Sequence, residues 1–474
     1  MTIEAAPSAS AERALTGVQP PVEDQVRPGP PPGLVERAFA VLALILYSNG
    51  FFTLVFDIDE TVETPELRFV WLPIYLLTVV AVVPRFAQVR QVMLANKITL
   101  LLGLLCCLSA WWSIDPGVTF RRGIAVCATI LFGLYLIARY DDLDRLRLLG
   151  WAFGIVALSS VVVALAMPTY GVSQELHAGA WRGVYPQKNM FGQFMVYACA
   201  VFLVLGLADP AIRRRALALC ALCAALVLLA RSATAGIALL MMLGLAFTIT
   251  VLFRHRVLAV IGVYGLIFGT VGLTLALLTD PDAVFGLIGR DATLTGRTDI
   301  WVPLWDMMRQ RFWLGYGYGV FWDDPEGPAW YIRRYLQWDV PSAHNGWAET
   351  WLNLGVVGVA LFGLSFALAA FRATVRLRLG RRPAAEMGTS LWPCLFLSLF
   401  LVFSFSESSI LRHNDLIWIM YVATIGAFGF RRVEPRPETV TYYGGMASAG
   451  PAEADAAPAG SVQAGTGQQW SYWR

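Results

Sequence analysis

The chain has 474 residues, 57% of them hydrophobic and 15% charged, with a mean hydropathy of +0.59 and a net charge of +3. This balance excludes a water-soluble globular protein of the same length and indicates an integral membrane protein. The small net charge gives no indication of a nucleic-acid partner, because the location of Lys and Arg in a membrane protein matters more than their sum.

Apolar runs recur along the chain between short polar loops. A bilayer needs roughly 20 apolar residues per helix, and the sequence supplies about twelve such runs. The predicted fold is all-α, with transmembrane helices at approximately 35–56, 69–83, 98–113, 123–138, 148–168, 190–208, 216–230, 235–253, 257–278, 348–371, 391–407 and 416–430. The Pro-rich residues 1–33 and the Ala- and Gly-rich residues 433–474 are predicted to be disordered tails around a transmembrane domain at 34–432.

Arginine-rich loops alternate with arginine-poor loops, and this alternation predicts the orientation. Basic residues accumulate in cytoplasmic loops, so the loops around Arg85, Arg139, Arg213, Arg254 and Arg376 are predicted to be cytoplasmic, as are both termini. The remaining loops are then periplasmic, including the two long ones at 169–189 and 279–347. All seven cysteines fall inside apolar runs and are interpreted as packing residues.

The loop at 279–347 is too long for an inert connection and is rich in Trp and Tyr. Such rings suit a membrane interface and also stack on sugars. Within it, Trp301, Leu304, Trp305, Met308 and Phe312 have helical spacing, which predicts an amphipathic helix on the bilayer surface. The glycine-rich run 314–319 is predicted to end this helix in a turn.

Basic residues in the periplasmic loops depart from the positive-inside expectation. They are Arg182, Lys188, Arg231 and Arg297. Each alone has an equally good explanation as a lipid-headgroup contact, but together they predict an anion site. Because those loops lack a cluster of metal ligands, a phosphorylated ligand is expected to be held by guanidinium and ammonium groups, with no metal and no cofactor. Arg297 also begins the amphipathic helix, where free N–H groups favour an anion.

His344 lies at the outer mouth of the tenth predicted helix and is followed by Asn345. A neutral imidazole there can accept a proton from an attacking hydroxyl. A lone interfacial histidine is more often structural, so the residue type leaves both interpretations open.

The spacing of His344, Asn345, Gly355 and Gly358 resembles the ligase pattern of the O-antigen ligase and polymerase superfamily, with its exopolysaccharide-polymerase branch closest. Further similarities lie in the segment Arg182–Asn189, in Gly296-Arg297-Thr298 and in the glycine-rich run. The resemblance covers about residues 35–430.

The resemblance implies a glycosyltransferase of the bacterial inner membrane that uses a polyprenyl diphosphate-linked oligosaccharide as donor. His344 and Arg297 would then be catalytic, and Glu407 a supporting carboxylate. Expected partners are the lipid-linked donor, a glycan acceptor, membrane lipid, a flippase and a chain-length regulator. Residues expected to bind the diphosphate or the glycan are Arg182, Lys188, Asn189, Arg231 and Asn345.

Three functions compete. The first is a polymerase that joins lipid-linked repeat units, favoured by the segments 181–189 and 231–235. The second is a ligase that moves a finished glycan onto lipid A-core or another acceptor. The third is a transporter without enzymatic activity, which predicts charges at mid-membrane depth and interrupted helices.

Overall fold

The computed structural model describes residues 31–56, 66–174, 178–252, 297–324, 326–337, 340–378 and 384–428. The predicted span at 257–278, the loop segment 279–296, residues 1–30 of the predicted tail at 1–33 and the predicted tail at 433–474 lie outside these residues. The part that the structure describes is helical, as predicted, and its one extended pairing is a bridge between Val172 and Trp181.

The helices are numbered here in chain order. They are α1 (Leu34–Tyr47), α2 (Phe52–Phe56), α3 (Leu67–Val82), α4 (Phe86–Ala95), α5 (Lys97–Leu108), α6 (Pro116–Arg139), α7 (Asp142–Ala166), α8 (Pro168–Gly171), α9 (Lys188–Ala208), α10 (Arg213–Leu229), α11 (Ala233–Leu252), α12 (Arg297–Gln310), α13 (Ala329–Leu336), α14 (Gly346–Arg378), α15 (Ala384–Ser404) and α16 (Leu416–Gly426). Single 3₁₀ turns follow α3 and α5.

Within the described residues, six helical stretches are long and apolar enough to cross a membrane, and the chain is a polytopic membrane protein. They are Leu67–Ala95, Pro116–Arg139, Asp142–Ala166, Lys188–Ala208, Ala233–Thr250 and Gly346–Leu377. Shorter apolar helices occupy Lys97–Trp111, Gly388–Ser404 and Leu416–Gly426. The count of about twelve spans stays a prediction.

Helix α9 is the centre of the bundle. It packs against α7, α10, α11 and α15, and 83% of its apolar window is buried, against 22% for Leu67–Ala95. A helix that is apolar on every side is buried on every side. Tyr197 of α9 packs on the rings of Phe396 and Phe403 in α15, so the helix that begins at Lys188 has a fixed position.

Aspartates set the first residue of several helices by accepting hydrogen bonds from free N–H groups. Asp115 accepts from Val118 at the start of α6, at 3.0 Å. Asp415 accepts from both Ile417 and Trp418 at the start of α16.

The bundle has two ends of opposite character. Helices α6, α9 and α14 all begin at one end and finish at the other, where acidic and basic side chains form ion pairs. This second end, called the ion-paired end, comprises Glu36, Arg85, Arg139, Asp142, Arg145, Arg147, Asp209 and Arg376. It contains described members of the loops predicted to be cytoplasmic; the side of the membrane on which it lies stays a prediction.

Two elements differ from the sequence prediction. The helix predicted at 35–56 is broken, because Asn49 adopts a left-handed conformation (φ 58°) and donates a hydrogen bond to the carbonyl of Asn414 at 2.8 Å. Helix α4 occupies residues predicted to be a loop, where Val89 and Val92 are completely buried and α4 packs against α6.

The amphipathic helix α12 is present but buries much of its apolar stripe inside the protein. Leu304 and Met308 pack in a cluster with Phe321 of the following loop and Ile332 of α13. Val302 and Trp305 remain exposed. Contact with α13 and the loop that precedes it thus replaces part of the expected contact of the stripe with the bilayer, while Trp305 and Phe312 stay exposed.

Candidate active site

His344 lies immediately before α14, with its backbone in the left-handed region (φ 46°). This conformation costs a non-glycine residue of order 1–3 kcal/mol and persists only where the surroundings impose it. Asn345 supplies one constraint, because its side-chain oxygen accepts hydrogen bonds from the N–H groups of Trp347 (2.9 Å) and Ala348 (3.1 Å). The structure thus gives Asn345 a capping function; its predicted contact with substrate stays a prediction.

The imidazole of His344 faces the carboxylate of Glu407. Nδ1 of His344 lies 4.0 Å from Oε2 of Glu407, and the side chains are 19% and 24% exposed. Within the described residues this Nδ1 atom is buried and makes no hydrogen bond. The structure therefore brings together two of the residues that the sequence singled out from distant parts of the chain.

Glu349, which the sequence analysis assigned no function, holds the backbone next to His344. Its Oε2 accepts from the N–H of Ala343 at 3.0 Å, and both of its oxygens lie 3.1 Å from the indole nitrogen of Trp322. The hydroxyl of Ser408, the neighbour of Glu407, also donates to Oε2 of Glu349 at 3.5 Å. A carboxylate in the first turn of an apolar helix was the signal that could have found it.

Residues 405–415, between α15 and α16, are the segment on which the surrounding helices converge. Gln193 of α9 donates to Ser409 at 3.3 Å. Asn414 accepts from Tyr75 of α3 at 2.5 Å, and its N–H donates to Thr129 of α6 at 3.0 Å. The segment is a partly buried connection that fixes Glu407 relative to α3, α6 and α9.

Two predicted cations lie at the starts of helices that contact this region. Lys188 begins α9 and is 8% exposed, about one and a half turns before Gln193. Arg297 begins α12, one turn before Trp301, whose indole N–H donates to the carbonyl of Ala343 at 3.0 Å. Asn189, beside Lys188, is partly buried.

Arg182 and Arg231 mainly organise loops. The guanidinium of Arg182 donates to the carbonyls of Thr169, Tyr170 and Pro186, and so closes the loop that leads into α9. Arg231 donates to the carbonyl of Ala178 at 3.2 Å. The donors committed to backbone carbonyls leave these arginines fewer N–H groups for a phosphate than the sequence suggested; direct binding stays a prediction.

The segment that contains the glycine-rich run supplies hydrogen-bond partners at a kink in α14. Gly355 has φ 65° inside α14, and a Cβ atom there would lie 2.2 Å from the carbonyl of Trp313. At this kink, the backbone N–H of Tyr316 donates to the carbonyl of Leu352 at 2.7 Å, and the backbone N–H of Val356 donates to that of Phe312 at 2.9 Å. The predicted turn is confirmed, and Gly355 of the ligase pattern is explained by close approach of two backbones.

Arg122 was also missed by the sequence analysis. It lies near the start of α6, is 9% exposed and forms a 2.6 Å ion pair with Asp323. It also donates to the carbonyl of Gly319. This arginine fixes the end of the glycine-rich run on the bundle, and its position beside Arg121 near a helix start gave no sign of that partner.

Two comparisons with known proteins show what this chain resembles. Residues 216–363 match the family model described as O-antigen ligase. The chain is 24% identical over 325 residues to the exopolysaccharide production protein ExoQ of Rhizobium meliloti (strain 1021), covering 65% of this chain and 70% of that protein. The resemblance to the O-antigen ligase and polymerase superfamily is confirmed.

The match to the superfamily covers part of the site. Arg231, Arg297, His344 and Gly355 lie within residues 216–363, whereas Arg182, Lys188 and Glu407 lie outside. The family indicates glycosyl transfer of the ligase or polymerase type. Within the described residues no group of three or more His, Cys, Asp or Glu side chains is arranged to hold a metal; independence of metal stays a prediction.

Proposed function

We propose that the chain is a polymerase that joins polyprenyl diphosphate-linked oligosaccharide repeat units into an exopolysaccharide or O-antigen chain. The observation that carries the proposal is the pairing of His344 with Glu407 at the end of the bundle where α9 and α12 begin. A candidate base, its carboxylate and two helix starts with cations thus share one region.

His344 and Glu407 handle the proton in this mechanism. Glu407 holds the proton of Nδ1, which leaves Nε2 to accept the proton of the acceptor hydroxyl as its oxygen attacks the sugar. The 4.0 Å separation is longer than a hydrogen bond, as is common in catalytic pairs before substrate binds. Glu349 keeps the backbone of His344 in place through Ala343.

The other half of the reaction breaks the bond between the anomeric carbon and the diphosphate. The leaving diphosphate keeps the electron pair, so its developing charge needs cations already in position. Arg297 and Lys188 are assigned to it, and Arg182 supports Lys188 by closing the loop before α9.

The setting of the site follows from the same proposal. The end that carries His344 faces the periplasm, both termini are cytoplasmic, and the chain lies in the bacterial inner membrane. A flippase then supplies the lipid-linked units and a chain-length regulator limits growth.

Two other functions remain for comparison. A ligase differs in acceptor and shares the donor site. ExoQ is named for exopolysaccharide production, which favours chain growth over transfer to lipid A-core. A transporter is disfavoured because the ionisable residues of the site gather at one end of the described bundle.

The deciding experiment measures donor binding and chain growth separately for His344→Ala and Arg297→Lys. Removing a general base costs about 10²–10⁴-fold in rate, so His344→Ala should lose that much chain growth while it binds the donor normally. Arg297→Lys should lose donor binding, because an ammonium cannot reproduce the guanidinium fork.

Arg214→Lys is the matched control, because Arg214 is an exposed residue at the start of α10. Membrane abundance is measured for every variant, and EDTA should leave the wild-type rate unchanged. Loss of donor binding in His344→Ala together with full activity of Arg297→Lys would reverse the assigned roles. Normal chain growth in both variants would overturn the enzyme proposal.

A further inference from the structure

A cleft of about 700 Å³ lies between α12 and α13, apart from His344. One wall presents Asp306, Arg309 and Gln310 of α12, and the other presents Trp330 and Tyr331 of α13. The volume falls within the range of small-molecule and cofactor sites in proteins.

The polar wall has unused hydrogen-bonding groups. Asp306, Arg309 and Gln310 are exposed and spaced three and four residues apart, so they share one face of α12. Within the residues that the structure describes, no hydrogen bond or ion pair engages their side chains. The wall therefore offers a carboxylate, a guanidinium and an amide to a ligand.

The aromatic wall is half exposed and held in place. Trp330 and Tyr331 are 45% and 48% exposed. The guanidinium of Arg334 lies 4.9 Å from the centre of the Trp330 ring, which restrains the ring by a cation–π contact. Two large apolar rings thus stand opposite three polar groups.

This combination selects the chemistry of the ligand. An apolar ligand would bury the three polar groups without partners, and an anionic lipid headgroup would pair with Arg309 but leave Asp306 facing a like charge. A sugar satisfies both walls, because its C–H face packs on a ring while its hydroxyl edge donates to Asp306 and accepts from Arg309 and Gln310. We propose that the cleft binds a glycan segment of the substrate, an inference that rests on the proposed function.

The position of the cleft fits a glycan held away from the reacting end. Trp301 of α12 contacts Ala343, the neighbour of His344. Asp306 and Gln310 follow roughly 8 and 14 Å further along the helix axis. Sugars in the cleft are therefore set back from the bond that forms at His344, and they contribute affinity and chain-length control without touching the reacting atoms.

Oligosaccharide binding tests this inference. The probe is the mixture of short oligosaccharides released by mild acid from the polysaccharide of the producing cells, titrated into protein in nanodiscs of phosphatidylethanolamine and phosphatidylglycerol. Tyr331→Ala and Gln310→Ala should each raise the Kd roughly two- to tenfold, the range for losing one or two net hydrogen bonds or contacts. Both should also shorten the polysaccharide.

Tyr335→Ala is the matched control. Tyr335 is a tyrosine of the same helix, one turn later and 60% exposed, and it does not line the cleft. It should bind and polymerise as the wild type does. Equal Kd values for Tyr331→Ala and wild type, or an equal loss in Tyr335→Ala, would overturn the inference. So would loss of bound phosphatidylglycerol from Tyr331→Ala with unchanged oligosaccharide binding, since the cleft would then be a lipid site.

Failure of the cleft and failure of the polymerase proposal give different results. His344→Ala should still bind the oligosaccharides with the wild-type Kd, which supports a cleft separate from the reacting residues. If the wild-type protein bound the oligosaccharides but made no polymer, the polymerase proposal would be wrong and the glycan-binding cleft would stand. If both cleft variants made polymer as the wild type does, the glycan-binding cleft would be wrong and the polymerase proposal would stand.

Discussion

The two ends of the bundle differ in how their charged side chains are paired, although each contains an ion pair of a buried arginine, Arg139 with Glu36 and Arg122 with Asp323. At the ion-paired end, Glu36 accepts from Tyr135 (2.7 Å) and Arg139 (2.8 Å) and pairs with Arg85 at 3.0 Å. At the other end, Nδ1 of His344 is buried and lies 4.0 Å from its carboxylate. Carboxylates and guanidinium groups that are paired with each other stabilise a fold, whereas a buried side-chain nitrogen without a hydrogen bond within the described residues is a candidate for function.

The difference also appears in what the arginines bind. Arg139 and Arg147 bind carboxylates of other segments and so connect helices. Arg182 and Arg231 bind backbone carbonyls of the loop before α9. A positive charge that meets no carboxylate keeps its attraction for an external anion, so the loop arginines contribute to the field at the site even where their N–H groups are occupied.

The largest effect on stability is expected from Glu36→Ala at the ion-paired end. The substitution leaves Arg139, 8% exposed, without its carboxylate, and breaking a buried pair by removing one partner costs about 3–5 kcal/mol. Thermal unfolding in detergent should show a large fall in midpoint, together with low membrane abundance.

Glu66→Ala is the comparison for that prediction, because Glu66 is exposed and its side chain caps no helix. Its unfolding midpoint should match that of the wild type. If Glu36→Ala unfolded at the wild-type temperature, the ion-paired end would not be the stabilising one.

A smaller effect, and on a different quantity, is expected from Glu349→Gln beside His344. In the amide an NH₂ group replaces one acceptor oxygen, so a second donor then lies beside the indole N–H of Trp322, whose nitrogen is 3.1 Å from both oxygens of Glu349. A buried donor left without a partner costs about 1–3 kcal/mol. Chain growth should fall roughly tenfold, with donor binding little changed.

Glu326→Gln provides the control for Glu349→Gln, since Glu326 is exposed and, among the described residues, its hydrogen bond is made by the backbone N–H and not by the carboxylate. A rate for Glu349→Gln equal to that of Glu326→Gln would show that Glu349 does not position His344.

The smallest expected effect comes from two cysteine substitutions that determine on which side of the membrane each end of the bundle lies. Glu326→Cys, beside Gly327, and Arg214→Cys replace exposed residues and should change neither stability nor rate. A membrane-impermeant thiol reagent added to spheroplasts should label Glu326→Cys and should reach Arg214→Cys only after the inner membrane is opened. The reverse labelling would place His344 in the cytoplasm and contradict the assigned topology.

Local features of the sequence were sufficient for the regular helices. The span predicted at 190–208 is α9, Lys188–Ala208, and that predicted at 148–168 lies largely within α7, Asp142–Ala166. Hydropathy decides such helices because each one satisfies its own backbone hydrogen bonds in the bilayer. The prediction at 35–56 was wrong in detail, since the helix ends at Tyr47 and Asn49 donates a hydrogen bond to the carbonyl of Asn414, 365 residues away.

The sequence by itself determined a helical membrane protein with alternating arginine-rich loops, and its His344 pattern led to the superfamily that the comparisons confirm. The tertiary structure alone decided that Glu407 faces His344, that Glu349 and Arg122 hold backbone near the site, and that Arg182 closes a loop. These contacts join residues far apart in the chain. Composition and periodicity report only on neighbours within a few turns, so they carry no information about which distant carboxylate will meet a given histidine or arginine.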